Sequence, residues 1–569
     1  MTAGSGNDSL TDVPTPWVAY NTTGDVGGVV RGNYATMNPV ASVTTPPTFT
    51  NGNLEVTGPA AGVGATVSTF GGTSGKFYAE VTVTRASDRL DLGIAGSLTA
   101  STFMTSTNYL GTDTNTIGYI TSTGVIRKDN ANNQTGLATC TTGDVVGMAI
   151  DMDSGTIQFY KNNSTVGTAV SFTPSAYGSF LIAQTTSNNT SKGTYNFGQR
   201  PFAYTPPAGF RSLCTTNLPA TTIGFGLTNQ GNKYFDATLY TGNGTSQSIT
   251  NSGSMQPDLV WTKSRANNNN HGLIDAVRGV SRWLGSNSTS AEDFTSGSYV
   301  TAFNSNGFSV GTGGVSNENG ITYVGWQWRA AGSTVSNTAG TITSTVSANT
   351  TAGFSIVTYT GNATSGATVG HGLGVAPNLI IVRNRTASAQ NWQVYSSVLG
   401  ATKRLFLDLT DTENTFSGVW NNTAPTSTVF SLGNATDVNG NTNNFVAYCF
   451  AAVAGYSAFG SYTGNGSADG PFIYTGFRPR FVMVKEATVS ARDWIILDSA
   501  RNTYNVADLQ LMPNKSDAEA TTVLSSTAYL DFVSNGFKVR NTSVRNNENT
   551  ATYIYAAFAE FPFQFANAR

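Results

Sequence analysis

The chain is predicted to be all-β: an extended N-terminal segment, a β-sandwich, and then three related β domains. Three observations carry this. Only 11% of residues are charged, against about 25% in an ordinary globular protein, while Gly is abundant (62) and aromatics reach 11%. Thr and aromatic residues suit pleated surfaces, and Gly and Asn supply the positive φ of tight turns. Secondly, apolar residues alternate with period two in many short runs bounded by turn residues. Thirdly, a pentad returns: "YTGNG" at Tyr240, "YTGNA" at Tyr359 and "YTGNG" at Tyr462. The best helical stretch is "SDAEATTVLSSTAYL" from Ser516, and it is short.

The hydrophobic fraction of 39% can build cores, so the low charge is not a mark of disorder. Net charge is -2 with no basic block, which argues against electrostatic nucleic-acid binding. The N-terminus lacks a basic region followed by an apolar one, so no secretory signal is expected. No run reaches membrane-spanning length, and no membrane insertion is expected. Cys140, Cys214 and Cys449 are far apart and odd in number, which suits three incidental thiols rather than a disulfide framework. These features suit a protein made in a reducing cytoplasm.

Residues 1–46 carry Pro at 14, 16, 39 and 46 and show no sustained strand pattern. Such a segment cannot bury a core alone, and it is expected to lie along another protein or another copy. Residues 47–205 read as strand, turn, strand. In "KFYAEVTVT", Phe77, Ala79, Val81 and Val83 share a face. "GDVVGMAIDMDSGTIQFYKNN" is a β-hairpin, with "DMDSG" as its turn. Asp151, Asp153 and Gly155 could begin a calcium loop, but no late bidentate Glu follows, and the turn is the better reading. The order "GKFYAEVTV", "LGIA", "GYI", the hairpin and "NFGQRPF" resembles the SPRY domain. That resemblance implies a concanavalin-like sandwich of two antiparallel sheets. It also implies a binding module without catalysis, whose ligand surface is built from loops.

After a linker at 206–233, the three units span 234–333, 353–454 and 455–569, with a second linker at 334–352. Each tyrosine is followed by a proline (Pro257, Pro377, Pro479) that opens an apolar strand: "PDLVWTKSR", "PNLIIVRNR", "PRFVMVKEA". A second strand follows, and each unit closes in aromatic-rich text. Units of about 100 residues are large enough for separate cores, so domains in a row are expected. The unit resembles an uncharacterised domain of tailed-phage proteins, often C-terminal to a SPRY domain. "DSLTDVPTP" and "GGVVRGNYATMNP" resemble phage text that leads into such a domain. The resemblance implies a phage virion protein.

Catalytic signals are thin. His271 and His371 are isolated, and no nucleophile elbow or zinc-binding HExxH occurs, so both are expected to be turn or surface residues. Asp275 and Asp498 each precede an Arg by three residues (Arg278, Arg501), whereas the middle unit has Ser396 and Leu399. A structural pair gained or lost together explains this better than an active site. No enzyme activity, cofactor or metal is expected. The candidate receptor contacts are Tyr109, Tyr119 and Asn130 in sandwich loops, the amides Asn267, Asn268, Asn269 and Asn270, and Trp420 among Asn and Thr. The expected function is a virion structural protein, a tail fibre or other appendage that binds a host surface glycan or protein. It would attach to other virion proteins through its N-terminal segment and self-associate, with a trimer favoured. A head or neck decoration protein is the alternative, and a polysaccharide-degrading tailspike the third.

Overall fold

A computed structural model describes residues 33–41, 45–86, 88–105, 108–224, 229–519 and 528–559. The described chain is all-β, a SPRY-like sandwich followed by further β structure. One sandwich sheet runs in the order Thr48–Thr50, Glu55–Thr57, Ser191–Asn196, Lys76–Ala86, Val145–Asp151, Thr156–Lys161, Ser164–Ser171. The other runs Gly64–Val67, Phe180–Thr186, Leu90–Gly96, Thr116–Ile120, Val125–Lys128, Ala131–Gln134. Phe77, Ala79, Val81 and Val83 are buried between them, as the alternation requires. The "DMDSG" stretch is a hairpin turn. Asp151 accepts the N–H groups of Asp153 and Ser154, both at 3.0 Å, and pairs with Lys76 at 3.1 Å.

Two expectations for flanking segments change. Residues 33–41 are not an attachment arm but part of the sandwich. Ala35, Met37 and Ala41 are fully buried, and Ala35 and Met37 donate to the carbonyls of Leu213 and Asn53, both at 3.0 Å. Residues 1–32 and 42–44 lie outside the described residues. In the expected helix, 516–519 is irregular, and 520–527 also lies outside them.

The three units share a topology. The opening strand pairs with the closing strand, which pairs with the proline strand, which pairs with a fourth. In the first unit these are Phe235–Thr241, Thr322–Trp328, Leu259–Ser264 and Gly272–Asp275. In the second they are Phe354–Thr360, Asn444–Phe450, Leu379–Asn384 and Gln393–Ser396. In the third they are Ser457–Thr463, Thr552–Ala559, Pro479–Glu486 and Ile495–Asp498. One face of each sheet packs on a smaller sheet of its own unit. The other face packs on the other two units, so a single core cluster contains residues of all three. The units are therefore three lobes of one body, not domains in a row. Trp328, Phe450 and Phe558, each at the same position of a closing strand, meet with centroids 5.7–6.2 Å apart. A sheet apolar on both faces cannot be covered by one small sheet, and its neighbours supply the rest.

The repeated pentad is a buried polar lock. Tyr240, Tyr359 and Tyr462 stack on Tyr323, Phe445 and Tyr553 at 5.3, 5.0 and 5.0 Å. Their hydroxyls donate to the carbonyls of Ser316, Val438 and Asn546 at 2.8, 2.7 and 2.8 Å. The Gly that follows has no room for a Cβ, which would strike the backbone of 318, 440 or 548. The next residue (Asn243, Asn362, Asn465) donates its N–H to a fully buried amide oxygen on Asn317, Asn439 or Asn547 at 2.8–2.9 Å. The same amides donate to two carbonyls each, so a buried polar side chain is fully paired.

The seams between lobes run in one rotational sense. Trp392 donates its indole N–H to Gly285 of the first lobe at 2.8 Å, and Trp494 donates to Phe406 of the second at 2.7 Å. His271 holds the equivalent place in the first lobe and donates from Nε2 to Met512 of the third at 3.0 Å. At the first–second seam, Asp275 and Arg278 pair at 2.5 Å with no side-chain exposure. The Tyr448 hydroxyl donates to Asp275 at 2.8 Å and accepts from Arg278 at 3.1 Å. At the third–first seam, Asp498 and Arg501 pair at 2.6 Å, and Trp326, equivalent to Tyr448, donates to Asp498 at 3.0 Å. Glu292 binds Arg385 across the first of these seams and Glu519 binds Arg265 across the second. At the second–third seam, Ser396 and Leu399 replace the pair and Ala556 stands where Trp326 and Tyr448 stand.

Candidate functional site

The chain leaves and enters each lobe at the end of the body where Trp328, Phe450 and Phe558 meet, although the first-to-second connection runs out along the second lobe as a strand pair, Val335–Asn337 and Ser344–Asn349, and returns. The opposite end carries the three locked turns and the three loops that follow the proline strands, 265–271, 385–392 and 487–494. These loops differ in sequence over a shared backbone plan. Their N-terminal ends are anchored alike: Lys263, Arg383 and Lys485 are fully buried and donate to carbonyls of the loops. Burial lowers both Lys263 and Lys485 to about 8.

Asn267, Asn268, Asn269 and Asn270 lie at this end. Asn267 and Asn269 donate to Glu318 at 3.0 and 3.1 Å, and Asn269 also donates to the Gly314 carbonyl at 3.0 Å. Asn268 accepts from Ala518 N–H of the third lobe at 3.0 Å, and Asn270 accepts from Asn287 at 2.8 Å. The four amides thus brace the loop and the third–first seam, while Asn268 and Asn270 remain exposed. Tyr109 and Asn130 sit on adjoining turns of the sandwich, linked by the Asn130 N–H to Gly111 carbonyl bond at 2.8 Å. The Arg89 guanidinium lies 3.6 Å from the Tyr109 ring centroid. Beneath it, burial pushes Asp91 up to about 6 against the pull of Arg89.

Other candidates move inward. Tyr119 is in the sandwich core, its hydroxyl bound to the Ala138 carbonyl. Trp420 is buried against Tyr395 at 5.7 Å, because the short helix Ser417–Trp420 turns it away from its polar sequence neighbours. Neither can meet a receptor directly. His271 and His371 are not surface residues either; both are fully buried. His271 accepts at Nδ1 from Trp261 at 2.9 Å, so it is the neutral Nε2–H tautomer, and burial holds its pKa well below the usual value. His371 bonds Thr426 and Leu373 in the same neutral way. Asp275 and Asp498 are consumed by their seams. Among the described residues, no group of three or more His, Cys, Asp or Glu is placed to hold a metal ion.

Sequence reasoning missed a cleft between the sandwich and the third lobe. It encloses about 310 Å³ and is lined by Leu98, Leu218, Phe459, Tyr474 and Tyr555 with small residues between them. Its walls are held together by Phe472, buried among sandwich residues, and by Asn535, which donates to the Thr69 carbonyl. Pockets of this size at domain boundaries commonly take small or chain-like ligands. No sequence pattern could show it, because its walls come from segments hundreds of residues apart.

Comparison with known proteins gives two family matches. A SPRY domain model matches residues 76–200, and a model described as a domain of unknown function (DUF7483) matches residues 230–562. No curated protein matches. Similar solved structures include a human SPRY domain, 18% identical, covering 26% of this chain and 93% of that one with a TM-score of 0.22. The SPRY domain of human HERC1 is 18% identical, covering 26% and 91% with a TM-score of 0.22. The TRIM65 PSpry domain is 16% identical, covering 29% and 90% with a TM-score of 0.24. The DUF7483 match takes in all three lobes as one unit and more than half the chain, and the chain belongs to that family, with a SPRY domain ahead of it.

Proposed function

We propose that this chain is a structural protein of a tailed-phage virion, an appendage that binds the host cell surface through loops rather than through chemistry. The observation that carries this reading is the end of the three-lobed body opposite the chain connections. There, three differing loops stand on one repeated, internally locked scaffold. A rigid scaffold with varied loops is a common way for β proteins to carry recognition. The titratable groups that could serve catalysis are engaged instead in holding the lobes together. Attachment to other virion proteins is assigned to residues before 33, since 33–41 are used by the sandwich.

A homotrimer remains part of the proposal only through other surfaces, because the faces that three single units would share are buried within one chain. Immunogold labelling of virions encoding the chain tests the reading. Label on tail fibres or tail tip, with purified chain blocking adsorption, is the expected result. Label on the head, with no blocking, would replace it with particle decoration. Shortening of host polysaccharide by the purified chain would replace it with a tailspike enzyme.

A further inference from the structure

The three lobes act as controls for one another, and one loop breaks the pattern. Leu273 pairs with Leu284 in the first lobe and Val394 with Leu405 in the second, at the same spacing. In the third lobe the equivalent Ile496 pairs with Leu511, so the intervening loop is four residues longer. The added residues belong to "NTYNVAD", from Asn502 to Asp508. Tyr504 at its tip is 84% exposed and Val506 beside it is 42% exposed.

The loop is held open. Asn502 donates to Asp508 at 3.0 Å and accepts from the Leu509 N–H at 3.0 Å. Asn505 bonds both the N–H and the carbonyl of Phe532, at 2.9 Å each. Ala507 and Leu530 exchange two backbone bonds at 2.8 and 3.1 Å. Ala507 packs into the core, but Tyr504 and Val506 stand outside it, and the other two lobes close without the added residues.

We propose that Tyr504 is a stacking platform for a neutral sugar ring of a host surface glycan. This rests on the host-binding reading above in its general form, since the loop follows the Asp498 end of its strand, nearer the chain connections than the three far-end loops. A phenol ring presents an apolar face that suits the C–H face of a pyranose. Residues 502–507 carry no charge, so the loop itself offers no cation to an anionic ligand. One ring and one isopropyl group are far smaller than the roughly 800 Å² per partner of a stable protein interface. They match a single sugar. A pre-ordered loop loses little entropy on binding, and several copies per particle would multiply a weak contact.

The test uses the full chain and polysaccharide extracted from the host surface, immobilised on a sensor. Tyr504→Ala should weaken binding roughly tenfold, whereas Tyr504→Phe and Tyr504→Trp should retain it, because stacking does not use the hydroxyl. Thermal melts of all variants should coincide, since the side chain is exposed. Equal binding by wild type and Tyr504→Ala overturns the proposal while leaving the host-binding reading intact. Loss in Tyr504→Phe equal to that in Tyr504→Ala overturns stacking as its basis. If wild-type chain neither binds the polysaccharide nor blocks phage adsorption, both fall together. If it blocks adsorption without binding polysaccharide, the glycan proposal alone falls.

Discussion

Two seams of the three-lobed body are closed by buried ion pairs, and the third by apolar contact and hydrogen bonds to backbone carbonyls, with no buried Asp–Arg pair. The first–second and third–first seams each hold an Asp–Arg pair, an aromatic donor from the next lobe, and a second cross-seam Glu–Arg pair. The second–third seam has lost all of these together. Ser396 and Leu399 replace the pair and Ala556 the donor, while Ala487 stands where Arg265 and Arg385 stand. Glu413 turns to Lys403 of its own lobe at 3.0 Å. The chain connections differ in parallel. Only residues 451–456 join the second and third lobes, residues 329–353 join the first and second, and no direct link joins the third to the first. A short tether raises the effective concentration of its two ends. The seam with the shortest tether is the one that does without an ion pair and keeps only neutral acceptors, as in the Trp494 bond to the Phe406 carbonyl.

The largest expected effect breaks an ion-paired seam. Arg501→Leu strands Asp498 in a buried site and should cost about 3–5 kcal/mol in chemical denaturation. The combined change Asp498→Ser, Arg501→Leu and Trp326→Phe, which imitates the apolar seam, should cost clearly less than that single change. Equal or greater loss would mean that the pair contributes by more than satisfying itself.

Next comes the acid response of the third–first seam. His271 is neutral when folded, with a pKa well below its ordinary value of about 6.5. The unfolded chain therefore takes up a proton that the folded chain refuses, and stability falls as pH drops below about 6.5. The limiting slope is about 1.4 kcal/mol per pH unit for one proton. His271→Gln, whose amide can still accept from Trp261 and donate to Met512, should remove that part of the slope. Denaturation of both proteins between pH 4.5 and pH 7 would be compared, and parallel curves would rule the histidine out.

The smallest effect sharpens the comparison from the other side. Ala487→Arg restores the missing cross-seam partner of Glu413 and should add about 0.5 kcal/mol, removable by salt. A loss of stability would show that the apolar seam has no space for the charge.

Much of this was legible in the sequence. The sandwich hairpin, the repeated strands and the coupled loss of Asp and Arg in the middle unit follow from spacing alone. The common core was missed, although "DLVW", "NLIIV" and "FVMV" are near-continuous apolar runs, which is the mark of strands buried on both faces. Asn317, Asn439 and Asn547 recur six residues before Tyr323, Phe445 and Tyr553. They stand among more numerous exposed asparagines, and burial of an amide has no compositional signature. Trp420 was misplaced for the converse reason, since polar neighbours in sequence do not set the direction of a side chain within a helical turn.

The closing strand of the third lobe ends beside the point where the first lobe begins, with Phe235 and Phe558 stacked at 5.2 Å. The ring is thus a wheel whose incoming and outgoing chain share one hub. The first strand of the body begins at Phe235 and its last described strand ends at Ala559 on the same side. New termini cut between the first and second or the second and third lobes should therefore still close the wheel, once residues 235 and 559 are joined by a short linker.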